Sequence, residues 1–122
     1  MIEAKNQSFP KRLRFACAGL LHGLRAENSL KVQAVVFVLV LGALIVLRPE
    51  PLWWALVLLA SAAVFAAELF NTTVEHLVDY LHPEVHPRIR IVKDCAAAAV
   101  LVTVLGAIAV AVCLAVHLLR RG

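Results

Sequence analysis

The chain is 122 residues long, 62% of them hydrophobic and only 16% charged, with a formal net charge of +4. Soluble domains are about 45–50% apolar and about 25% charged, and a domain of this size cannot bury so large an apolar excess. The composition therefore excludes an ordinary water-soluble protein, and we expect an all-α membrane protein with one domain over residues 1–122. No apolar segment with a cleavage site precedes the first predicted span, so a removable signal peptide is not expected.

The first predicted element is a helix at about 8–27. Ser8 and Pro10 are typical of a helix start, and the apolar residues that follow recur at helical spacing. A basic amphipathic helix beside membrane spans is expected to lie in the membrane surface. The alternative is a helix that packs on other helices and faces water. The apolar stripe consists of Leu13, Ala16, Cys17, Leu20, Leu21 and Leu24, and the basic positions are Lys11, Arg12, Arg14, His22 and Arg25.

Three longer helices with transmembrane spans are predicted at 28–48, 51–81 and 91–119. The first span reaches the roughly 20 residues that a hydrocarbon core of about 30 Å requires only when it is extended back to Asn28. The second continues its helical pattern well beyond its apolar part, so it is expected to project from the bilayer on one side. Prolines interrupt helices, and they place connections between the first two spans and at 82–87.

Three spans put the N-terminal segment and the 82–93 loop on one side of the membrane. That side holds nine Lys and Arg residues and the other side three. The positive-inside rule therefore predicts that the N-terminus and this loop are cytoplasmic. The nine are Lys5, Lys11, Arg12, Arg14, Arg25, Lys31, Arg88, Arg90 and Lys93, and the three are Arg48, Arg120 and Arg121.

Small residues recur along the spans, which is typical of closely packed transmembrane helices. Three thin helices shield a polar cluster poorly, so we expect a homo-oligomer. Cys17, Cys95 and Cys113 are odd in number and widely spaced among apolar neighbours. That pattern argues against a disulfide framework or a zinc site and favours small apolar packing residues.

A stripe of acids follows the apolar part of the second span. At about 100° per residue, Glu68, Asn71, Glu75 and Asp79 lie within an arc of about 80° on one helix face. Glu75 and Asp79 are a like-charged pair one turn apart and repel each other. A divalent cation would relieve that repulsion, and Mg²⁺ prefers oxygen ligands. The alternative is a solvated polar helix end, but ionisable groups at membrane depth are functional candidates.

Other charged residues are predicted at the same cytoplasmic level. Glu27 precedes the first span, and Lys93 and Asp94 begin the third. A lysine is suited to binding phosphate oxygens as a point charge; the alternatives are that Lys93 anchors the span and that Glu27 pairs with Arg25 or Lys31. Glycine-rich nucleotide loops are absent from the sequence. The residues alone thus indicate an acidic, metal-dependent cytoplasmic site, without specifying a reaction.

The series E-x-x-N-T-x-x-E-x-x-x-D at 68–79 is followed by H-x6-K-D at 86–94, and GLRAEN at 23–28 precedes the first span. These motifs, in this order, resemble the prokaryotic diacylglycerol kinase family, which includes the undecaprenol kinases. The resemblance extends over nearly the whole chain. It implies a homotrimeric bundle that transfers the γ-phosphoryl group of ATP to the hydroxyl of a membrane lipid, with Mg²⁺.

The resemblance also implies a role for each site residue. Glu68 would be the general base, and Glu27 and Glu75 would hold the metal. Asp79 would support the site, and Ser61 would contact the lipid together with Glu68. The residues around the nucleotide would be Glu27, Asn71, Glu75, Glu84, His86, Lys93 and Asp94.

The acceptor stays open at this point. Diacylglycerol, giving phosphatidic acid, is the expected substrate, whereas PEVHP at 83–87 is more similar to the undecaprenol kinase branch. A further alternative is a non-enzymatic oligomer that conducts protons or cations along the acidic stripe. The expected location is the bacterial inner membrane, with the active site facing the cytoplasm and with no nucleic-acid partner.

Overall fold

A computed structural model describes residues 7–122, which form four α-helices. They are α1 (Phe9–Ala26), α2 (Asn28–Leu47), α3 (Pro51–Leu81) and α4 (Pro87–Arg121). The last three are long and apolar enough to cross a membrane. At 1.5 Å per residue, α3 is about 46 Å long and α4 about 52 Å, so both exceed a hydrocarbon core of about 30 Å.

The helix ends follow from local backbone chemistry. A single residue, Glu27, separates α1 from α2, and its backbone is extended (φ −104°, ψ 120°). Arg48 ends α2 in the left-handed region (φ 49°, ψ 56°), a conformation that commonly terminates helices. Pro51 and Pro87 begin α3 and α4, because a proline in the first turn forfeits no intrahelical hydrogen bond.

The predicted bounds of 51–81 match α3, and those of α1 and α2 differ by no more than one residue at each end. The last helix begins four residues before the predicted 91 and ends two after the predicted 119. Pro87 is a helix start there rather than a loop residue, since the Nδ1 atom of His86 accepts a hydrogen bond from the Arg88 N–H at 3.1 Å and caps α4. Lys5, counted in the predicted topology, lies outside the described residues.

The helices pack unequally. α3 and α4 lie against each other along much of their length, α2 packs on α3, and α1 packs on α2 and α3. Towards the α2–α3 turn, which we call the outer end, the core consists of Leu44, Val57 and Leu114. At the opposite, inner end, Leu30 is fully buried.

A close approach of helices fixes α1 at the inner end. A Cβ atom on Gly23 would lie 2.8 Å from Cδ1 of Leu30 and 3.1 Å from Cδ2 of Leu69. Gly23 is the buried residue of α1, so α1 meets α2 and α3 at a position where only a missing side chain leaves room.

An apolar groove of about 490 Å³ runs between α2 and α4, with α3 as its floor. Two of the residues that line it are polar: Gln33 of α2 and Ser61 of α3. Leu47 and Leu118 line it near the outer end. The groove therefore follows the length of the apolar spans.

Most large apolar side chains of the spans are exposed on this single chain, for example Val38, Leu39 and Leu59. Such an extensive exposed apolar surface is that of a protein in contact with lipid or with partner helices. The three cysteines are free and also exposed, so they do not contribute to packing within the chain as expected from their neighbours. A bundle of three long helices offers too little interior to bury them.

Candidate active site

The buried face of α3 ends in a carboxylate. Val57, Val64 and Glu68 are the buried residues of this helix, and their spacing of seven and four places them on one stripe. Glu68 is 6% exposed and is the buried charged residue among those that the structure describes. The helical pattern thus carries an ionisable group into a position that would otherwise hold a valine or leucine.

Burial decreases along the predicted acidic stripe. Asn71 and Glu75 are partly buried, and the side chain of Asp79 is 61% exposed. The Oδ1 atom of Asn71 is buried yet accepts no hydrogen bond from any described residue. Because buried acceptors are normally paired, this oxygen, one turn from Glu68, is a candidate contact for a substrate group.

The α1–α2 junction contacts the stripe. His76 Nε2 lies 3.2 Å from Glu27 Oε1, across 49 positions of sequence, and the His22 ring packs edge-on against His76. The contact brings Glu27 of one element next to the residue that follows Glu75. Glu27 therefore pairs with His76, and not with Arg25 or Lys31, which were its alternative partners from the sequence.

The contact with His76 places Glu27 beside the turn of α3 that carries Glu75, and two carboxylates are suitable donors for Mg²⁺. This ion is usually held by one or two carboxylates together with substrate phosphates, and Glu27 and Glu75 could supply that share. Within residues 7–122, His, Cys, Asp and Glu side chains do not converge in groups of three or more that could hold a metal ion alone. The site therefore fits a metal that arrives with phosphate ligands better than a metal caged by protein.

The exposed end of the stripe is neutralised by α4. Lys93 Nζ donates a hydrogen bond of 2.6 Å to Asp79 Oδ1. This charge-assisted contact offsets the predicted repulsion between Glu75 and Asp79. On the next residue of the same helix, Asp94 Oδ1 lies 3.5 Å from Nε of Arg90, which is one turn earlier.

The 82–86 loop contributes backbone contacts in this chain. His82 Nδ1 lies 3.0 Å from the carbonyl oxygen of Glu84, and His86 caps α4. Both loop residues predicted to bind nucleotide, Glu84 and His86, are exposed. The structure does not join their side chains to Glu68 or Glu75 among the contacts of the described residues.

Ser61 connects the site to the apolar groove. It lies two helical turns before Glu68, close to the same stripe of α3, and it lines the groove. Its hydroxyl donates to the Val57 carbonyl at 2.8 Å, which leaves its oxygen lone pairs available as acceptors. Glu68 thus lies one helical turn beyond Val64, near the inner limit of the groove lining on α3, and about 10 Å from Ser61 along the helix.

Sequence reasoning missed several residues that matter in the structure. His76 was not assigned to the site, although it is the observed partner of Glu27, the carboxylate at the start of α2. Gly23 was noted only as part of a motif. The contacts of Glu50, His117 and Arg121 at the outer end were also missed, and a charge pattern confined to two helix ends is their only signal in the sequence.

The chain matches the family model for prokaryotic diacylglycerol kinase over residues 14–115. It is 33% identical to the diacylglycerol kinase of Synechocystis sp. over 102 residues, which cover 83% of this chain and 58% of that protein. It is also 33% identical to the undecaprenol kinase of Bacillus subtilis over 94 residues, 77% of this chain and 76% of that one. No solved structure matches it. The extent of the family match shows that the chain belongs to the prokaryotic diacylglycerol kinase family.

Proposed function

We propose that the protein is a lipid kinase that transfers the γ-phosphoryl group of ATP to the hydroxyl of a membrane lipid, with diacylglycerol as the acceptor and undecaprenol as the alternative. The observation that carries this proposal is the buried Glu68, one helical turn beyond the inner end of an apolar groove. The names of its relatives in Synechocystis and Bacillus support the same class of reaction.

The groove suits the apolar part of such an acceptor. Its lining on α2 extends from Gln33 to Leu47, about 21 Å at the helical rise. A hydrocarbon chain along it places a polar headgroup near Glu68, where the apolar stripe of α3 ends. Ser61 and the free oxygen of Asn71 are then positioned to contact the headgroup on either side.

The proposed reaction needs a base and a charged cradle rather than covalent chemistry. The lipid hydroxyl oxygen attacks the γ-phosphorus, the bond from that phosphorus to the bridging oxygen breaks, and ADP leaves with the electron pair. Glu68 accepts the hydroxyl proton late, because an alcohol is a very weak acid until its oxygen bonds to phosphorus. Mg²⁺, held by Glu27 and Glu75, would neutralise phosphate charge.

Lys93 is proposed to bind the phosphate oxygens, and Asn71, Glu84, His86 and Asp94 are proposed to surround the nucleotide. Its ammonium has three N–H donors, and one of them is used by Asp79. Asp79 therefore fixes the ammonium at the level of Glu75 and leaves two donors for phosphate. This is the sense in which Asp79 supports the site.

The remaining parts of the proposal concern assembly and location. We assign the protein to the inner membrane as a homotrimer, with α1 in the membrane surface and the inner end in the cytoplasm, where ATP is available. The excess of Lys and Arg at the inner end supports this orientation, and the exposed apolar faces of the spans support contact with lipid and neighbouring subunits.

Replacing the base tests the mechanism. Glu68→Gln is expected to lower kcat by at least about 100-fold, the usual contribution of a positioned base, with Mg-ATP affinity little changed. Turnover would be measured with labelled ATP and binding with a fluorescent nucleotide. Glu50→Gln, at the outer end of the bundle, is the matched control and should keep a near-normal kcat. Near-normal turnover of Glu68→Gln would falsify the role of this carboxylate.

The acceptor is tested by assaying the purified protein with diacylglycerol and with undecaprenol in the same lipid background. Preference for diacylglycerol supports the proposal, and preference for undecaprenol assigns the protein to the alternative acceptor. A protein that phosphorylates neither lipid would contradict the kinase proposal. If it also conducts ions into liposomes without ATP, and Glu75→Gln abolishes that flux, the conducting oligomer becomes the proposed function.

A further inference from the structure

A cluster of charged side chains connects the helix ends at the outer end, on the side opposite Glu68. Glu50 Oε2 lies 2.8 Å from His117 Nε2, and Glu50 Oε1 lies 3.7 Å from Arg121 Nη1. The His117 ring also packs against the Trp53 indole, with 5.4 Å between ring centroids. We call Glu50, His117 and Arg121 the outer clip. It connects the α2–α3 turn to the end of α4.

The outer clip also holds the end of α2 directly. Arg121 donates from Nη2 to the Leu47 carbonyl at 3.0 Å and from Nη1 to the Arg48 carbonyl at 3.5 Å. Carbonyls in the last turn of a helix have no intrahelical partner, and a cation there also interacts favourably with the helix dipole. Arg121 of α4 thus donates hydrogen bonds to the carbonyls at the end of α2.

The position of the outer clip matters because of the groove. Leu47 and Leu118 line the outer end of the groove. The carbonyl of Leu47 accepts a hydrogen bond from Arg121, and Leu118 directly follows His117. α2 and α4 form the two walls, and their side chains meet at the outer end in the cluster of Leu44 and Leu114. The outer clip therefore connects the two walls where the groove closes.

We propose that Glu50 and Arg121 are positioning residues for the lipid acceptor: by fixing the outer end of α2 to α4, the outer clip sets the width of the groove that receives the hydrocarbon chain. This inference rests on the proposed lipid kinase function. Exposed ion pairs contribute little to global stability, so the effect of the outer clip is on geometry. It acts on the acceptor alone, because nucleotide groups are bound at the other end of the helices.

Kinetics with long-chain and short-chain diacylglycerols test the proposal. Glu50→Gln and Arg121→Gln are expected to raise KM for the long-chain acceptor about threefold or more while kcat and KM for ATP stay within about twofold, as for a loss of uniform binding. KM for a short-chain acceptor, which does not reach the outer end, should change less. Arg120→Gln, a neighbouring cation without a contact in the outer clip, is the matched control.

Equal changes in KM for ATP and lipid, or equal changes for short and long chains, would overturn the proposal. A measurement that does not depend on activity distinguishes failure of the outer-clip proposal from failure of the proposed lipid kinase function. Spin labels at the exposed Val46 and Leu119, with the native cysteines replaced, report the distance between α2 and α4. Glu50→Gln should broaden that distance distribution. An unchanged distribution refutes the outer clip even if kinase activity is confirmed.

Discussion

In the proposed site, Asp79 holds the Lys93 ammonium in place for a phosphate group. A free lysine ammonium on a flexible stem would sample many positions, whereas the bond of 2.6 Å to Asp79 holds it beside the acidic stripe. Substituting Asp79 releases the Lys93 ammonium, whereas substituting Lys93 removes the cation. The two substitutions therefore distinguish the effect of the position of the cation from the effect of its presence.

We expect Asp79→Asn to raise KM for ATP severalfold with a smaller change in kcat, because the released ammonium must be ordered again by the nucleotide. Lys93→Gln should be more severe, since the cation itself is lost. Steady-state kinetics at fixed lipid concentration measure both. Asp79→Asn being as damaging as Lys93→Gln would indicate that the carboxylate has a role beyond holding this lysine.

His86 has an observed and a proposed function that substitution can separate. Its Nδ1 accepts the Arg88 N–H, so a neutral ring carries its proton on Nε2, which is the proposed donor to a phosphate oxygen. His86→Asn preserves a good helix cap, whereas His86→Ala removes it at a cost of about 1 kcal/mol. We expect Asn to keep wild-type thermal stability but not wild-type KM for ATP, and Ala to lose both. Recovery of KM by Asn would assign the effect to the cap alone.

At the scale of helices, the contact of α1 with α2 and α3 depends on the absence of a side chain at Gly23. An alanine is better than glycine by about 1 kcal/mol in a helix, but here its Cβ would meet Leu30 at 2.8 Å. Leu30 is fully buried and cannot move away cheaply, and overpacking costs about 1–3 kcal/mol. The steric cost of the added Cβ atom therefore outweighs the gain in helix propensity.

Gly23→Ala is accordingly expected to destabilise the docking of α1 by about 1 kcal/mol and to expose it to proteolysis. Gly19→Ala is the matched control, because a Cβ there has no neighbour within 4 Å, and it should be neutral or slightly stabilising. Thermal unfolding in detergent and limited proteolysis measure the difference. Equal behaviour of the two variants would contradict a tight contact at Gly23.

The helices themselves were predictable because apolar runs and prolines are local signals. The burial of Glu68 was predictable for the same reason, since it follows directly on an apolar helix face. Pro87 was misjudged as a loop residue because a proline is equally compatible with the first turn of a helix. The Glu27–His76 contact was missed because 49 residues separate its partners, and helical periodicity carries no information about which faces of different helices meet.

For the whole molecule, the two ends of the bundle differ in what holds them together. The inner end relies on close packing at Gly23 and on the site residues, and the outer end on a small apolar cluster with the outer clip around it. The side chain of Glu50 at the outer end is 51% exposed, and the contribution of this carboxylate to stability depends on pH.

The pKa of Glu50 is lowered from its ordinary value of 4.5, first by a hydrogen bond from its own backbone N–H and then by the hydrogen bond with His117. A carboxyl whose pKa is lower in the folded state stabilises the fold above its unfolded pKa, and this contribution is lost as the pH falls through the folded value. The melting temperature of wild type should slightly exceed that of Glu50→Gln at about pH 6, and the difference should diminish as the pH falls below 4.5 and through the lowered pKa of Glu50. Thermal scans of both proteins across this range measure it. A difference that persists unchanged at the acidic end would mean that the glutamine variant is destabilised by packing rather than by the loss of a charge.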